Sequence, residues 1–264
     1  MNHLEKIIQR TEQRVETLKS TFSRENLQSN GKEYKKRKFV ETLNKSSEEQ
    51  RNSVVAEIKK ASPSKGIIRE DFDPVWTAKQ YEKGGAACLS ILTEPDFFLG
   101  SLDYLLAVRK VCHLPILRKD FIIDERQLSE AIKFGADAIL LIAACIGDEQ
   151  LEHLHRLATD AGLAALVEVH SQNELERALA IDAQLIGVNN RDLTDFTVDL
   201  GLTERLAKYI TGANTPERIL VAESGIDTRH DDERREACGA KAILVGTSLM
   251  RHPNIEEKVV ELLG

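Results

Sequence analysis

One pattern recurs eight times from about residue 53 onward: a short aliphatic run ends in a polar residue and is followed by a stretch with helical spacing of apolar residues. The aliphatic runs lack polar alternation, which is typical of strands buried on both faces. The predicted strands are 53–58, 87–92, 115–118, 138–142, 164–169, 185–189, 219–222 and 242–245. The predicted helices between them are 74–83, 101–111, 125–134, 148–161, 172–179, 200–210, 229–238 and 255–263.

Eight such units predict an α/β fold in which parallel strands close into a (β/α)8 TIM barrel with right-handed crossovers. An open, doubly wound sheet is the structural alternative, but it would need a glycine-rich G-x-G-x-x-G fingerprint that the sequence lacks. We expect a single barrel domain over residues 1–264. Residues 1–50 would form an N-terminal helical extension that packs across one end of the barrel, since apolar residues with helical spacing recur there in a charged background.

Net charge and cysteine content indicate which partners and which cellular compartment to expect for such a barrel. The formal net charge of -7 argues against nucleic-acid binding, and we expect the basic run at 35–38 to be a solvated patch. The four cysteines have neither metal-ligand nor redox-motif spacing, which predicts reduced thiols. No secretion signal and no membrane-spanning run is evident, so we expect a cytoplasmic protein that does not bind membranes.

Polar residues follow the predicted strands at the positions where such barrels carry their active sites. The carboxyl ends of all eight strands meet at one face of the barrel, so side chains at those ends converge. A surface salt bridge is the alternative for any one of them, but it does not explain their recurrence at six strand ends. The candidate catalytic residues are Glu57, Lys59, Lys119, Glu168, Asn189 and Glu223.

The last two strands end in small and hydroxylated residues, Ser224-Gly225 and Gly246-Thr247. Loops after the seventh and eighth strands, next to a short helix, recurrently bind phosphate in barrels of this class because their backbone N–H groups are exposed. Glycines that serve only tight turns are the alternative. Together with the polar strand ends, these loops favour a phosphorylated small-molecule substrate.

Seven motifs give the chain a resemblance to a known family. They are EIKKASPSKG at 57–66, DFDP at 71–74, LRKDFIID at 117–124, VEVH at 167–170, GVNNRDL at 187–193, AESGI at 222–226 and VGTSLM at 245–250. In this combination the chain resembles indole-3-glycerol phosphate synthases. The resemblance implies a reaction in which an anthranilate joined through nitrogen to 1-deoxyribulose 5-phosphate closes a ring, loses carbon dioxide and then loses water. It also implies that neither cofactor nor metal is needed.

The resemblance assigns roles to the candidate residues. Lys119 would be the general acid of ring closure, with a pKa lowered toward neutrality by the barrel wall while nearby glutamates oppose that shift. Lys59 would bind the anthranilate carboxylate or help expel water, and Glu57 would pair with a lysine. Glu168 would be the base of dehydration. The remaining two, Asn189 and Glu223, would hydrogen-bond the developing hydroxyl or position a lysine.

The resemblance also implies a set of substrate-binding residues. Hydroxyls and phosphate would be held by Ser62, Ser224, Gly225, Gly246 and Thr247. An apolar wall for the aromatic ring would come from Pro63, Phe121 and Leu193, and Arg191 would bind substrate or support the site. A Schiff-base aldolase with Lys119 or Lys59 as nucleophile and a non-enzymatic barrel are the competing hypotheses. We expect a monomer or a weak homo-oligomer.

Overall fold

The structure is a computed structural model that describes residues 2–18, 36–48, 53–194, 196–210, 217–228, 231, 234 and 236–264. Eight parallel strands close into a barrel in which each strand pairs with its neighbours in chain order and the last pairs with the first. The strands are β1 Ser53–Ile58, β2 Cys88–Leu92, β3 Ile116–Lys119, β4 Ala138–Ile142, β5 Ala164–Val169, β6 Leu185–Asn189, β7 Ile219–Glu223 and β8 Ala242–Val245. The predicted TIM barrel is confirmed.

Seven of the eight predicted helices lie within two residues of their predicted bounds, and three further helices are present in the described residues. The helices are α1 His3–Leu18, α2 Phe39–Glu48, α3 Pro74–Lys83, α4 Leu102–Arg109, α5 Glu125–Lys133, α6 Asp148–Asp160, α7 Gln172–Ala180, α8 Gly201–Ile210, α9 Thr247–Arg251 and α10 Ile255–Leu263. Helix α3 begins as its sequence predicts, because the Asp73 carboxylate accepts from the N–H groups of Val75 and Trp76 and Pro74 occupies the first turn. The predicted helix 229–238 lies partly outside the described residues.

Strand alternation explains why the site residues face inward. Along β1, Val54, Ala56 and Ile58 pack outward in the layer between strands and helices, whereas Val55 belongs to the smaller inner core. Side chains two apart on a strand share a face, so Glu57 continues the inward row above Val55. By the same rule, Lys119 lies on the same, inward face of β3 as Leu117.

The same row of inward residues continues around the barrel. Leu166 leads to Glu168, Val221 to Glu223 and Leu244 to residue 246, in each case from the apolar inner core to a polar or small residue two positions later. Strands β3 and β7 each run one residue further than the sequence predicts, so their last strand residues are the candidate site residues themselves.

The N-terminal extension contacts both ends of the barrel rather than one. Arg14 on α1 bonds to Glu94 (2.7 Å) and Asp96 (3.0 Å) in the loop after β2, at the carboxyl ends of the strands. Phe39 and Leu43 on α2 are buried in the inner core at the opposite end, near the start of β1. The expectation of packing across one end is therefore wrong, because two helices separated by a long connection can reach both.

The basic run also differs from its prediction. Arg37 donates its backbone N–H to the buried Asp137 (2.7 Å) and its guanidinium to the Leu114 carbonyl (2.6 Å), and Lys36 donates to the Ala161 carbonyl. These acceptors lie at or near the amino ends of strands, so these two side chains fasten the extension to the barrel. Lys36 and Arg37 are therefore not part of a solvated patch, whereas the Lys38 side chain is exposed.

Candidate active site

A cavity of about 820 Å³ opens at the carboxyl ends of the strands. It has the size typical of small-molecule sites. Every site residue that the sequence predicts lines it: Glu57, Lys59, Ser62, Pro63, Lys119, Phe121, Glu168, Asn189, Arg191, Leu193, Glu223, Ser224, Gly225, Gly246 and Thr247. Six strand ends or the loops that follow them thus bring these residues to one concave site.

A lysine held between two carboxyl groups forms the charged centre of the cavity. The Lys119 ammonium lies 2.7 Å from Glu168 Oε2 and 2.6 Å from Glu223 Oε2. Both glutamates are buried, and Asn189 Nδ2 donates to Glu168 Oε1 at 3.2 Å. Gly187 makes room for this cluster, because a Cβ at that position would overlap the Glu223 carboxylate. The sequence analysis did not identify Gly187 as a site residue.

The cluster sets the protonation states of its members. Burial by itself lowers the pKa of Lys119, but Glu168 and Glu223 outweigh burial and raise this pKa above its ordinary value. Of the two opposing effects expected from the sequence, the attraction of the glutamates is therefore larger than the effect of burial. Burial raises the pKa of both carboxyl groups, yet Lys119 holds the pKa of Glu168 below its usual range.

The pKa of the second carboxyl group, that of Glu223, shifts in the opposite direction. Burial and the charge of Glu168 raise the pKa of Glu223 to about 8 against the attraction of Lys119. At neutral pH the cluster therefore contains one ammonium, one carboxylate and one carboxylic acid, and it carries no net charge. A group of three with no net charge is also the least costly state to bury.

A second pair of a lysine and a glutamate lies at the end of β1, two strands away from both β3 and β7. Lys59 donates to Glu57 Oε2, and the Tyr81 hydroxyl donates to the Glu57 backbone carbonyl at 3.0 Å. A Cβ on Gly246 would overlap the Glu57 carboxylate, so a residue without a side chain is required at the end of β8. Ser62 follows in a short antiparallel hairpin that pairs residues 61–62 with 66–67.

The loop after β6 is held next to the cluster by polar contacts. The Arg191 backbone N–H donates to Asn189 Oδ1 (3.1 Å), and the Arg191 guanidinium donates to the Phe196 carbonyl (3.0 Å). Asn190 Nδ2 donates to the Ser224 carbonyl (3.2 Å), which ties this loop to the one after β7. The guanidinium thus supports the loop, and this contact favours the supporting role among the two that the sequence leaves open.

The loops predicted to bind phosphate lie side by side in the cavity wall. Ser224 and Gly225 both have positive φ, at 64° and 78°, which turns the chain sharply after β7. For a serine this conformation costs energy and is worth noting at a functional position. Gly246 precedes the short helix α9, which starts at Thr247.

Aromatic side chains extend the apolar wall beyond the predicted residues. Phe98, in the loop after β2, lines the cavity and pairs with Phe121, with ring centroids 6.2 Å apart. Phe196 also lines it, and its ring lies 4.9 Å from that of His3 on α1. Neither phenylalanine has a strand-end position or a motif in the sequence that identifies it. Among the described residues, no group of three or more His, Cys, Asp or Glu side chains is placed to hold a metal ion.

The comparisons with known proteins agree with this geometry. The family model described as indole-3-glycerol phosphate synthase matches residues 4–262. A protein of that name from Rhodopirellula baltica is 51% identical over 211 residues, which cover 80% of each chain. Another, from Zymomonas mobilis subsp. pomaceae, is 47% identical over 228 residues, which cover 86% of this chain and 85% of its own.

Solved structures with low sequence identity share the fold alone. An N-acetylmannosamine-6-phosphate 2-epimerase from Clostridium perfringens has a TM-score of 0.59 at 15% identity, over 81% of this chain and 92% of its own. A thiamine phosphate pyrophosphorylase from Pyrococcus furiosus has a TM-score of 0.57 at 16% identity, over 80% and 93%.

Proposed function

The chain belongs to the indole-3-glycerol phosphate synthase family, and from this premise we propose how its cavity carries out the reaction. The enzyme closes the ring of 1-(2-carboxyphenylamino)-1-deoxyribulose 5-phosphate, decarboxylates it and dehydrates it to indole-3-glycerol phosphate in tryptophan biosynthesis. The observation that carries the assignment of roles is the cluster of one ammonium between two buried carboxyl groups.

We assign Lys119 as the general acid of ring closure. As the ring carbon attacks the ketone, negative charge develops on the ketone oxygen and a nearby ammonium neutralises it by giving up a proton. The two carboxyl groups keep the proton on Lys119 until the oxygen becomes basic enough to take it, since they raise the pKa of the ammonium. Loss of the carboxylate as carbon dioxide then restores the aromatic ring.

Dehydration uses the two carboxyl groups in different protonation states. Glu168, whose pKa Lys119 lowers despite burial, is ionised and takes the proton whose loss completes the indole. Glu223 is protonated at neutral pH because its pKa is about 8, and it supplies the proton with which the hydroxyl leaves as water. The 2.7 Å hydrogen bond from Lys119 to Glu168 returns the abstracted proton to the lysine. One proton from solvent then restores Glu223, which matches the proton consumed when a carboxylate leaves as carbon dioxide.

The remaining cavity residues bind the substrate. Lys59, paired with Glu57 at the end of β1, holds the anthranilate carboxylate through its ammonium. The turns at 224–225 and 246–247 hold the phosphate, with backbone N–H groups and two hydroxyls as donors. Phe121 and Leu193, with Pro63, form the wall against which the aromatic ring packs.

The substitution Lys119→Ala tests the assignment of the general acid. Turnover, followed by the fluorescence of the indole product, should fall by about 10²–10⁴-fold, the usual contribution of a positioned acid. Lys79→Ala removes an exposed lysine on α3 outside the cavity and should turn over like the unmodified enzyme. Near-normal turnover by a folded Lys119→Ala variant would overturn the assignment. A borohydride-trapped adduct with substrate would favour a Schiff-base mechanism instead.

We also propose that the enzyme acts in the cytoplasm as a monomer or weak homo-oligomer. The four cysteines are free thiols, with Cys88 and Cys112 buried, as expected in a reducing compartment. All the residues assigned to the reaction line one cavity of this chain. Analytical ultracentrifugation at micromolar concentration should give the mass of one chain, and a stable dimer would contradict this proposal. Within the described part of the chain, no helix is long and apolar enough to cross a membrane.

A further inference from the structure

A histidine behind the catalytic base has no role in the mechanism above. His170 follows Glu168 by two residues at the end of β5, so strand alternation turns both toward the interior. Its ring atom Nε2 lies 3.5 Å from Glu168 Oε1, the oxygen that also receives the Asn189 amide. Nε2 is buried and has no hydrogen-bond partner in the structure, so its contact with the Glu168 carboxylate is at ion-pair distance and is not a hydrogen bond.

The start of helix α7 fixes the other side of this ring. Glu174 Oε2 accepts the backbone N–H of His170 at 2.8 Å and lies 3.4 Å from its ring atom Nδ1. Glu174 is itself held by Ser171, whose hydroxyl donates to Glu174 Oε1 (3.1 Å) and accepts from the Glu174 backbone N–H (3.2 Å). Hydrogen bonds at the start of α7 therefore fix the position of the carboxylate that faces Nδ1.

An imidazole between two carboxylates has one protonation state that suits both. A neutral ring has one N–H and would turn the lone pair of its other nitrogen toward an acceptor, whereas the imidazolium donates from both nitrogens. Resting on the proposed function, in which Glu168 is the base, we infer that His170 is a positioning residue. Glu174 holds its imidazole as a cation, and this cation keeps the Glu168 carboxylate ionised and oriented for proton abstraction.

The charges around the ring support this inference. Burial lowers the pKa of His170, but the hydrogen bond to Glu174 and the charge of Glu168 outweigh burial and raise it. Glu223 on β7 adds to the effect only where it is ionised, above its own pKa of about 8. The ammonium of Lys119 on β3 also faces Glu168. Cys145, in the turn after β4, stays a neutral thiol because burial raises its pKa.

The functional consequence concerns the pH at which the base loses its charge. Glu168 can accept a proton only when ionised, and a cation 3.5 Å away favours that form. Without the imidazolium, the pKa of Glu168 rises, so turnover should begin to fail at a higher pH as the solution is acidified. A merely structural histidine would change stability and leave this limb of the pH profile where it is.

Two substitutions remove the positive charge of the His170 imidazole by different routes while the fold is kept. His170→Asn removes the cation and keeps a polar side chain. Glu174→Gln keeps the N-cap, since the Ser171 hydroxyl accepts from the backbone N–H of residue 174, but removes the carboxylate that holds the ring charged. His153→Ala is the matched control, because His153 also pairs with a glutamate (Glu125, 3.2 Å) but lies on α6 outside the cavity.

The pH dependence of kcat is the first readout. Both variants should shift the acidic limb of the kcat profile upward by about one pH unit, the lower end of the effect of one neighbouring charge. At pH values below the limb, kcat should therefore fall by up to about tenfold relative to the unmodified enzyme, while KM and the rate near pH 8.5 change less than about twofold. The control should shift nothing. An unchanged acidic limb in both variants would overturn the inference.

An NMR titration of the imidazole C–H signals is the second readout and does not depend on turnover. The pKa of His170 should exceed that of an ordinary histidine and should fall in both Glu174→Gln and Glu168→Gln. If Glu168→Gln lowers the His170 pKa but retains turnover, the proposed role of Glu168 as base fails while the pairing stands. If the His170 pKa is insensitive to both substitutions, the pairing itself is wrong.

Discussion

Replacement of Lys119 by methionine removes the cation that two buried carboxyl groups share. Methionine retains most of the apolar stem, so the loss of packing is small and the electrostatic consequence dominates. Glu223 is already protonated at neutral pH, with a pKa of about 8. The change therefore falls on Glu168, which is buried and whose pKa is held low against burial mainly by Lys119 and to a smaller extent by His170, which the substitution leaves in place.

The magnitude follows from the proton that Glu168 must bind in the variant. Its pKa in the unfolded chain is about 4.3, so keeping it protonated costs at most about 4 kcal/mol at pH 7 and about 1 kcal/mol at pH 5. The sign is that of a carboxyl group whose pKa is raised in the folded state. Stability is retained below the unfolded pKa and is lost as pH rises toward the folded pKa. Lys119→Met should thus be far less stable at pH 7 than at pH 5, relative to the unmodified enzyme.

Urea denaturation followed by far-UV circular dichroism at the two pH values measures this difference. The double variant, Lys119→Met with Glu168→Gln, carries no ionisable group at position 168 and should recover stability at pH 7 while remaining inactive. If the single variant loses the same free energy of unfolding at pH 5 and pH 7, the cluster does not set the protonation of Glu168. The reasoning would also be refuted if the double variant recovered nothing.

Two further predictions concern residues that support the site and the barrel. Gly246→Ala places a methyl group against the Glu57 carboxylate. We expect kcat/KM to fall by about 100-fold with an unchanged fold, because this is the usual cost of misplacing a catalytic group by about 1 Å. A fall of less than about threefold would contradict this. Asp137→Ala, at the end of the barrel opposite the cavity, removes the partner of the buried Arg109 (2.5 Å) and of the backbone N–H of Arg37 (2.7 Å). The substitution should lower the free energy of unfolding by about 3–5 kcal/mol, measured by urea denaturation. Steady-state kinetics should show an unchanged kcat. A loss below about 1 kcal/mol would contradict this role of Asp137.

The sequence identifies the catalytic end of the barrel because the polar residues stand at the ends of the runs that the hydrophobic pattern identifies as strands. The aliphatic runs fix which residues are strands, and alternation then turns Glu57, Lys119 and Glu168 inward at their ends. His170 could have been found by the same rule, since it lies two residues beyond Glu168. Phe98 could not, because it lies in an irregular loop whose path depends on tertiary contacts.

The charge states and the N-terminal segment were beyond sequence reasoning for different physical reasons. The pKa of Lys119 depends on the balance between burial and two carboxyl groups at 2.6 and 2.7 Å, and only coordinates supply those distances. Arg37 looks like part of a solvated basic run, but its acceptor Asp137 lies 100 positions away in the sequence. Nothing local to either residue indicates that pairing.

A crystal structure with a substrate analogue tests the central claim most directly. The analogue carries an alcohol in place of the ketone, so ring closure is blocked while the carboxylate and phosphate remain. The account predicts that Lys119 Nζ lies within about 3.2 Å of the alcohol oxygen, that Lys59 contacts the carboxylate, and that the phosphate lies between the turns at 224–225 and 246–247. An alcohol oxygen bound by Lys59, with Lys119 on the carboxylate or away from the substrate, would contradict it.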